Sequence, residues 1–417
     1  MHDDFECFAG IDWATEAHQV CLVERAGVIL GERSFAHSGA GLTALCDWLV
    51  ATGGAPPEMI AVAIEVPHGA VVDTLIERGF AAFSVNPKQL DRFRDRFTVA
   101  GAKDDRRDAH VLGDSLRTDR HCFRRLEASA PALVELKEWS RMAEELGRER
   151  VRLANRLHEQ LRRYYPQALE VTDDVAADWF LDLWARVPTP EKARRARESS
   201  IDKLLKAKRI RKIDAAGLLR ILRQKPVTVA PGTVEAACAH IRAVAERLRL
   251  VNRQIREAHK RIDALCGTIA GEGDDASGQK TEQRDVEILR SLPGIGRIVL
   301  AALLAEAPRP LRDRDYHALR SLSGVAPVTR SSGKRRVVVM RKACHMRLRS
   351  AVYHWARVAI QHDPASRERY AALRTRGHSH GRALRSVADR LLAVACAMLQ
   401  SQTLYDPNHH EKTPKAA

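Results

Sequence analysis

Four acidic side chains stand where predicted strands end or where a predicted helix begins. Asp12 ends the first predicted strand, and Glu65 directly follows a continuous apolar run that is typical of a buried strand. Asp105 and Asp108 lie three residues apart in a predicted helix and therefore share one of its faces. Each could be a solvated acid or a helix cap, but three separate segments supply them together.

Carboxylates that converge repel one another unless a cation neutralises them. Hard oxygen ligands select Mg²⁺ or Mn²⁺, and two such ions can stabilise the attacking and leaving oxygens of a phosphodiester displacement. We therefore predict that Asp12, Glu65, Asp105 and Asp108 form a catalytic metal site. The neighbouring Asp104 is expected to point to a different helix face from Asp108.

A serine near the C-terminal third lies in a strongly cationic setting. Ser332 precedes a glycine, and the basic residues around it are Arg330, Lys334, Arg335 and Arg336. Such cations would attract a phosphodiester and stabilise a serine alkoxide and the charge of the transition state. The simpler interpretation is a turn residue in a basic loop, and the adjacent Ser331 is a second candidate for the nucleophile.

A glycine-rich turn precedes a helix predicted over residues 297–307. In Pro293-Gly294-Ile295-Gly296 the backbone N–H groups would lie at the positive end of that helix, which suits a DNA phosphate. Gly294 and Gly296 are therefore candidate nucleic-acid contacts, as in helix-hairpin-helix proteins. The alternative is an ordinary glycine-rich turn.

The elements that must position the acids form an α/β domain over residues 1–125. Three successive antiparallel strands are followed by alternating helix and strand, which is the order of a ribonuclease-H-like domain. In that arrangement the first and fourth strands are neighbours. Asp12 and Glu65 would then meet, and the last helix would bring Asp105 and Asp108 against them.

The rest of the chain is predicted to be helical, which makes the fold class α/β plus all-α. Two long amphipathic helices, 131–163 and 234–266, are expected to pair as an antiparallel coiled coil or to serve as a dimer interface. The predicted divisions are a long-helix region 130–270 with an insertion 166–232, a linker 271–283, a mainly helical arginine-rich domain 284–402 and a disordered tail 403–417.

Composition favours a nucleic-acid partner. The 417 residues contain 69 Lys and Arg against 53 Asp and Glu, for a net charge of +16, and such an excess suits phosphate backbones. No apolar run approaches a membrane span, and the acidic N-terminus is unlike a signal peptide. The eight cysteines are scattered singly, without a Cys-x-x-Cys pair, which disfavours zinc and disulfides and indicates a cytoplasmic protein.

With both regions in view, the sequence resembles the bridge-RNA-guided transposases of bacterial insertion sequences. The matching motifs are, in order, Gly10-Ile11-Asp12, Glu65, Lys103 to Ala109, the long helices, Leu292 to Gly296, and Gly324 to Gly333. That family joins a RuvC-like domain with a DEDD acid set to a transposase domain with a catalytic serine. One departure is Asp104, which replaces the usual threonine before the third acid.

The resemblance implies a mechanism and a set of partners. Asp12, Glu65, Asp105 and Asp108 match the metal-binding acids, and Ser332 matches the serine that forms a covalent link with DNA. It further implies Mg²⁺, donor and target DNA, a guide RNA encoded by the element, and a dimer or tetramer whose active sites combine the two domains from different subunits. The expected location is the bacterial cytoplasm, in association with the nucleoid.

Two other functions remain possible at this point. A metal-dependent structure-specific nuclease or junction resolvase would need the four acids but not Ser332. A non-catalytic nucleic-acid-binding protein would need neither, although all four acids are retained.

Overall fold

The computed structural model describes residues 4–97, 104–128, 130–271, 281–333 and 335–407. It divides into two compact units, residues 1–129 and 130–417. The first unit is a mixed α/β unit and the second is mainly helical, so the coarse fold class agrees with the prediction. The finer divisions of residues 130–402 stay predictions.

A six-stranded mixed sheet forms the centre of the first unit. Its strands lie in the order β3-β2-β1-β4-β5-β6; β1 pairs antiparallel with β2 and parallel with β4. The elements of this unit are β1 (Cys7–Asp12), β2 (Ala17–Glu24), β3 (Ile29–Ala36), α1 (Gly39–Gly53), β4 (Ile60–Ile64), α2 (Ala70–Glu77), β5 (Ala81–Ser84), α3 (Pro87–Phe97), α4 (Asp105–Thr118) and β6 (Arg124–Arg125).

Helices cover both faces of this sheet, which explains the continuous apolar run of β4. All five β4 residues are buried, and alternate residues of a strand face opposite sides. Ile60, Val62 and Ile64 pack in the cluster that contains the buried residues of α1 and α2. Ala61 and Ala63 pack in the cluster that contains Val111, Leu112 and Leu116 of α4.

The first unit differs from the predictions at three elements, of which one is the short strand β6, which was not predicted. The third strand extends over Ile29–Ala36, well beyond its short apolar run of residues 28–30, and pairs along β2. Helix α3, Pro87–Phe97, was not predicted, because charged residues dominate its sequence and its apolar stripe is only Leu90, Phe93 and Phe97. Lys103, the first residue of the motif that contains Asp105 and Asp108, lies outside the described residues.

Two long helices form the axis of the second unit. They are α5 (Pro131–Tyr164) and α10 (Thr233–Gly271). Glu135 at the start of α5 pairs with Arg261 near the end of α10, whereas Arg150 further along α5 donates to Asn252 at 2.9 Å. The two helices therefore pack antiparallel within one chain. Of the two predicted arrangements, an antiparallel pair and a dimer interface, the structure shows the antiparallel pair.

The insertion packs around one half of this helix pair. Its helices are α6 (Asp178–Arg186), α7 (Pro190–Arg195), α8 (Glu198–Ala207) and α9 (Ala215–Leu222). Their apolar faces join the C-terminal half of α5 and the N-terminal half of α10 in one hydrophobic cluster. The insertion is thus part of the core of the second unit.

The C-terminal helices pack around the other half of the pair. The elements are α11 (Thr281–Ser291), α12 (Arg297–Glu306), α13 (Pro308–Arg312), α14 (Tyr316–Leu322), β7 (Val328–Ser332), β8 (Arg335–Val339), α15 (Met346–His362), α16 (Pro364–Thr375) and α17 (His380–Ser401). The segment interpreted as a basic loop is a two-stranded antiparallel hairpin, β7–β8. That interpretation was wrong because the arginines and serines of the segment mask its strand pattern.

The first residues of the predicted disordered tail are held against the helices. The Tyr405 N–H donates to Ser291 Oγ at 2.9 Å, and the Tyr405 hydroxyl lies 3.2 Å from the carboxylate of Asp363. Residues 408–417 of that predicted tail, and residues 272–280 of the predicted linker, lie outside the described residues. Across the ranges that the structure describes, we find no helix with the length and apolarity to cross a membrane.

Gly10 is required by the close approach of α4 to β1. A Cβ atom at Gly10 would lie 1.9 Å from the Ala109 carbonyl oxygen and 2.5 Å from the Gly113 nitrogen.

We expect Gly10→Ala to destabilise the first unit by at least about 2 kcal/mol, because backbone atoms must move apart. Denaturant unfolding measures this loss. The matched control is Gly39→Ala, where a Cβ meets nothing within 4 Å; equal stabilities of the two variants would contradict the packing described.

Candidate active site

The sheet register brings the first two acids together. Ile11 pairs with Ile64 in the parallel β1–β4 ladder, so Asp12 and Glu65 follow at the carboxyl ends of neighbouring strands. Asp12 is itself the last residue of β1. Both side chains are half-buried. The predicted neighbourhood of Asp12 and Glu65 therefore follows from the ladder.

Helix α4 supplies the other two acids from the first turn at its N-terminus. Asp108 is 2% exposed, whereas Asp105 is exposed to solvent. Asp104 precedes the helix and caps it, because its side chain accepts a hydrogen bond from the Arg106 N–H at 3.2 Å. Threonine, the residue expected there from the resemblance, is also a helix N-cap former, so the departure keeps the same structural role.

The charges of the other three acids contribute to a raised pKa of Asp12. The pKa of Asp12 is raised from 3.8 to about 6, first by burial and then by the charges of Asp108 and Asp105. Arg94 lowers this pKa, and Glu65 adds a smaller rise. A carboxylate surrounded by like charges resists ionisation. A cation placed among these acids would relieve that repulsion.

One cation is already supplied by the protein. Arg94 of α3 donates to both carboxylate oxygens of Asp108, at 2.7 and 2.8 Å, and also to Asp91 at 2.7 Å. This two-bond geometry fixes the Asp108 carboxylate strongly. This role of Arg94 was not predicted, because Arg94 belongs to helix α3, which was itself not predicted.

The donor chemistry of the acids suits a hard divalent ion, but their geometry is not a preformed coordination sphere. Four carboxylates from β1, β4 and α4 are the ligands that Mg²⁺ or Mn²⁺ prefers. Among the described residues, however, no group of three His, Cys, Asp or Glu side chains is arranged so that it could hold a metal ion. The ion pair between Arg94 and Asp108 occupies one of the four acids.

The candidate nucleophiles lie at the tip of the β7–β8 hairpin. Ser332 pairs with Arg335, and Ser331 pairs with Arg336. Both serines are exposed. Gly333 follows in the left-handed region, with φ +54°, where glycine is favoured. Lys334, another predicted contact, lies outside the described residues.

The hairpin distinguishes the two serines by their faces. Successive strand residues point to opposite faces, and directly paired residues share a face. Ser332 therefore shares its face with Arg330 and Arg335, whereas Ser331 shares its face with Arg336. The hairpin sequence, residues 328–339, contains no acidic residue and no histidine, so a base for either serine must come from elsewhere.

The glycine-rich turn links α11 to α12. Gly294 has φ +83°, and a Cβ there would lie 2.9 Å from the Ala359 nitrogen of α15. Trp355 of α15 also donates to the Pro293 carbonyl at 2.9 Å. Gly294 is thus fixed by packing against α15, whereas Gly296 is exposed at the N-cap of α12. Phosphate binding by Gly294 and Gly296 stays a prediction.

Comparisons with known proteins cover both regions. A family model of the IS110 DEDD type, described as a transposase, matches residues 9–166, and the model of the transposase IS116/IS110/IS902 family matches residues 286–371. The mini-circle putative transposase for IS117 of Streptomyces coelicolor is 31% identical over 414 residues, covering 97% of this chain and 96% of that protein. The chain belongs to the IS110/IS116/IS902 family of transposases.

Two further relatives agree with this assignment. The putative transposase y4uE of Sinorhizobium fredii is 57% identical over 223 residues, which is 53% of this chain and 62% of that protein. An IS110 insertion-element protein of 43.6 kDa from Streptomyces coelicolor is 27% identical over 97% of this chain and 96% of its own length. The four acids lie within the first matched region, and both serines lie within the second.

The raised pKa of Asp12 gives a pH-dependent prediction. Because the folded state holds this proton up to about pH 6 and the unfolded chain releases it near 3.8, folding stability decreases as the pH rises through this window. Asp12→Asn removes the charge. In buffer free of divalent ions, its Tm should match the wild type at pH 4 and exceed it by a few degrees above pH 6.

Thermal unfolding between pH 4 and 8 measures this difference. The control is Asp73→Asn, an exposed aspartate in α2, which should show no such growth with pH. A wild type at least as stable as Asp12→Asn above pH 6 would contradict the repulsion among the acids.

Proposed function

We propose that this chain catalyses DNA transposition of an insertion sequence by cleaving and rejoining DNA strands through a covalent serine–DNA intermediate. Family membership supports the transposition, and the net charge of +16 suits a DNA substrate. The observation that carries the chemistry is the face of the hairpin on which exposed Ser332 lies between Arg330 and Arg335.

The chemistry at the hairpin is a transesterification. Ser332 Oγ attacks a backbone phosphorus, a Ser–O–P bond forms, and one P–O bond of the DNA strand breaks. The serine proton passes to a base outside the hairpin, and the leaving sugar oxygen takes up a proton. Since one phosphodiester replaces another, the strand can be rejoined without an external energy source. Arg330 and Arg335 would stabilise the charge that develops on the phosphate oxygens.

The first unit is proposed to be a ribonuclease-H/RuvC-like domain that holds Mg²⁺, or Mn²⁺, in the reaction. Its strand order β3-β2-β1-β4-β5 supports that fold. Asp12, Glu65, Asp105 and Asp108 would be the ligands, and the ion would stabilise negative charge on the reacting oxygens. For Asp108 to bind an ion fully, Arg94 must release at least one of its two bonds.

The remaining partners rest on the family resemblance. We propose a guide RNA encoded by the element, which pairs with donor and target DNA, and an oligomer as the active form. The basic surface of the chain is compatible with RNA as well as DNA, because both carry the phosphate backbone that arginine binds.

A metal-dependent nuclease or junction resolvase is the second candidate. The acids of the first unit favour it, because they would suffice for hydrolysis without a serine. The two functions differ in one product: only the transposase reaction leaves DNA covalently attached to the protein.

Covalent trapping tests the serine directly. Purified protein is mixed with Mg²⁺, labelled element-end DNA and RNA transcribed from the element's flank, and is then separated on a denaturing gel. Wild type should give a DNA–protein adduct. Ser332→Ala should lose it by at least about a hundredfold, whereas the matched variant Ser331→Ala should retain it.

Each other outcome assigns a different chemistry. Loss of the adduct only in Ser331→Ala would move the nucleophile to the other face of the hairpin. Cleavage without any adduct would establish the nuclease and overturn the serine mechanism. Omission of the RNA from the same reaction tests the guide, since an undiminished adduct would contradict RNA dependence.

The acids have a separate test. Asp12→Ala and Asp105→Ala should lower strand cleavage by at least about a hundredfold while the far-UV circular dichroism stays unchanged, because charge on the reacting oxygens is no longer stabilised. Asp73→Asn serves again as the control and should cleave normally. Normal cleavage by either alanine variant would contradict the proposed metal site.

A further inference from the structure

A cavity of about 300 Å³ opens between α15 and α17, beside the base of the hairpin. Its walls are mainly apolar and include Met346 and Tyr353 of α15 and Leu384 and Ala388 of α17. A second cavity of about 280 Å³ lies under the hairpin residues Val338 to Met340. Arg385 lines both cavities.

Two arginines at this junction contact a sulfur atom. Met340 Sδ lies 2.6 Å from Arg349 Nη2 and 3.4 Å from Arg385 Nη1, and Arg349 Nη1 lies 3.8 Å from Cys344 Sγ. A thioether is a weak, uncharged acceptor, so it does not neutralise either cation. Burial first, and then the charges of Arg349 and Arg382, lower the pKa of Arg385, the direction expected for a cation that lies near other cations.

A neighbouring arginine that lines the second cavity, Arg320, is neutralised by a carboxylate. Arg320 donates to both oxygens of Asp389 at 2.9 and 2.6 Å, and the Tyr316 hydroxyl also donates to Asp389 at 2.9 Å. That carboxylate is therefore already engaged. Within the part of the chain that the structure describes, no carboxylate forms an ion pair with Arg349, Arg382 or Arg385.

We propose that this junction binds one unpaired nucleotide of the nucleic-acid substrate, with its phosphate on Arg349, Arg382 and Arg385 and its base in the apolar cavity beside Tyr353. Guanidinium groups bind phosphate through two parallel hydrogen bonds, and an apolar cavity with an exposed aromatic ring suits a base. The site rests on the proposed nucleic-acid substrate, and it would anchor the strand at the base of the hairpin that carries Ser332.

Binding of short single strands tests the phosphate contacts. The full chain is titrated with fluorescent DNA and RNA oligonucleotides of one sequence, about 12 nucleotides long, at several salt concentrations. Arg349→Gln and Arg385→Gln should each weaken Kd about tenfold and reduce the salt slope by about 0.7. The matched control is Arg369→Gln, an exposed arginine of α16, which should change neither value.

A second variant tests the site without removing an arginine. Met340→Glu places a carboxylate where the sulfur now meets Arg349 and Arg385. It should raise the Tm and weaken oligonucleotide binding about tenfold, because the variant supplies the anion itself. Met340→Leu is the neutral control and should bind as the wild type does.

The base contact is tested at Tyr353. Tyr353→Ala should weaken binding of an intact oligonucleotide several-fold, since stacking on an aromatic ring is lost, and should not weaken binding of an oligonucleotide made only of abasic sites. If Tyr353→Ala weakens the binding of one kind of oligonucleotide more than the other, that strand, DNA or RNA, is the one that occupies the site. Either result supports the proposed site.

The site would be overturned if the variants of Arg349 and Arg385 bound both strands as tightly as Arg369→Gln, or if Met340→Glu left binding unchanged. These measurements do not depend on strand cleavage. If the serine adduct fails to form while this binding pattern is found, the proposed chemistry fails and the nucleotide site stands. The opposite pair of results would remove the site and leave the chemistry.

Discussion

Repulsion among carboxylates at the end of β1 is the constraint on which the first unit depends. Asp12 ends the strand beside Glu65, and α4 lies so close to β1 that glycine is required at residue 10. That close approach brings Asp108 to the same end of the sheet, where Asp12 ionises only with a raised pKa. A cation relieves the repulsion that such a concentration of negative charge creates, and Arg94 provides one on Asp108.

The second unit has the opposite charge imbalance, a local excess of positive charge. Its hairpin carries arginines on both faces, and the junction of α15 and α17 holds Arg349 and Arg385 against a sulfur atom. Negative charge from a nucleic acid would offset this excess, just as positive charge would offset the acids of the first unit. Under the proposed function, the DNA strand and its divalent ion would supply these two opposite charges.

Sequence patterns predicted the elements that strong apolar periodicity defines. The buried run of β4 and the seams of the two long helices identified these elements, and the position of Asp12 and Glu65 after apolar runs indicated the acid site. Patterns failed where charged residues dominate. Helix α3 with Arg94 has a short apolar stripe among many charged residues, and the strands of the hairpin with Ser332 have no buried side chain that would give a period. The contact of Arg349 with Met340 depends on how α15 packs under the hairpin, which local sequence does not specify.

Binding of Mn²⁺, measured by electron paramagnetic resonance on the full chain, tests the role of the acids most directly. If the acids take up an ion and Asp108 exchanges Arg94 for it, the wild type binds Mn²⁺, Mg²⁺ displaces it, Asp12→Asn binds at least tenfold more weakly, and Arg94→Gln still binds. Equal Mn²⁺ binding by the wild type and Asp12→Asn would contradict a metal site at the end of β1.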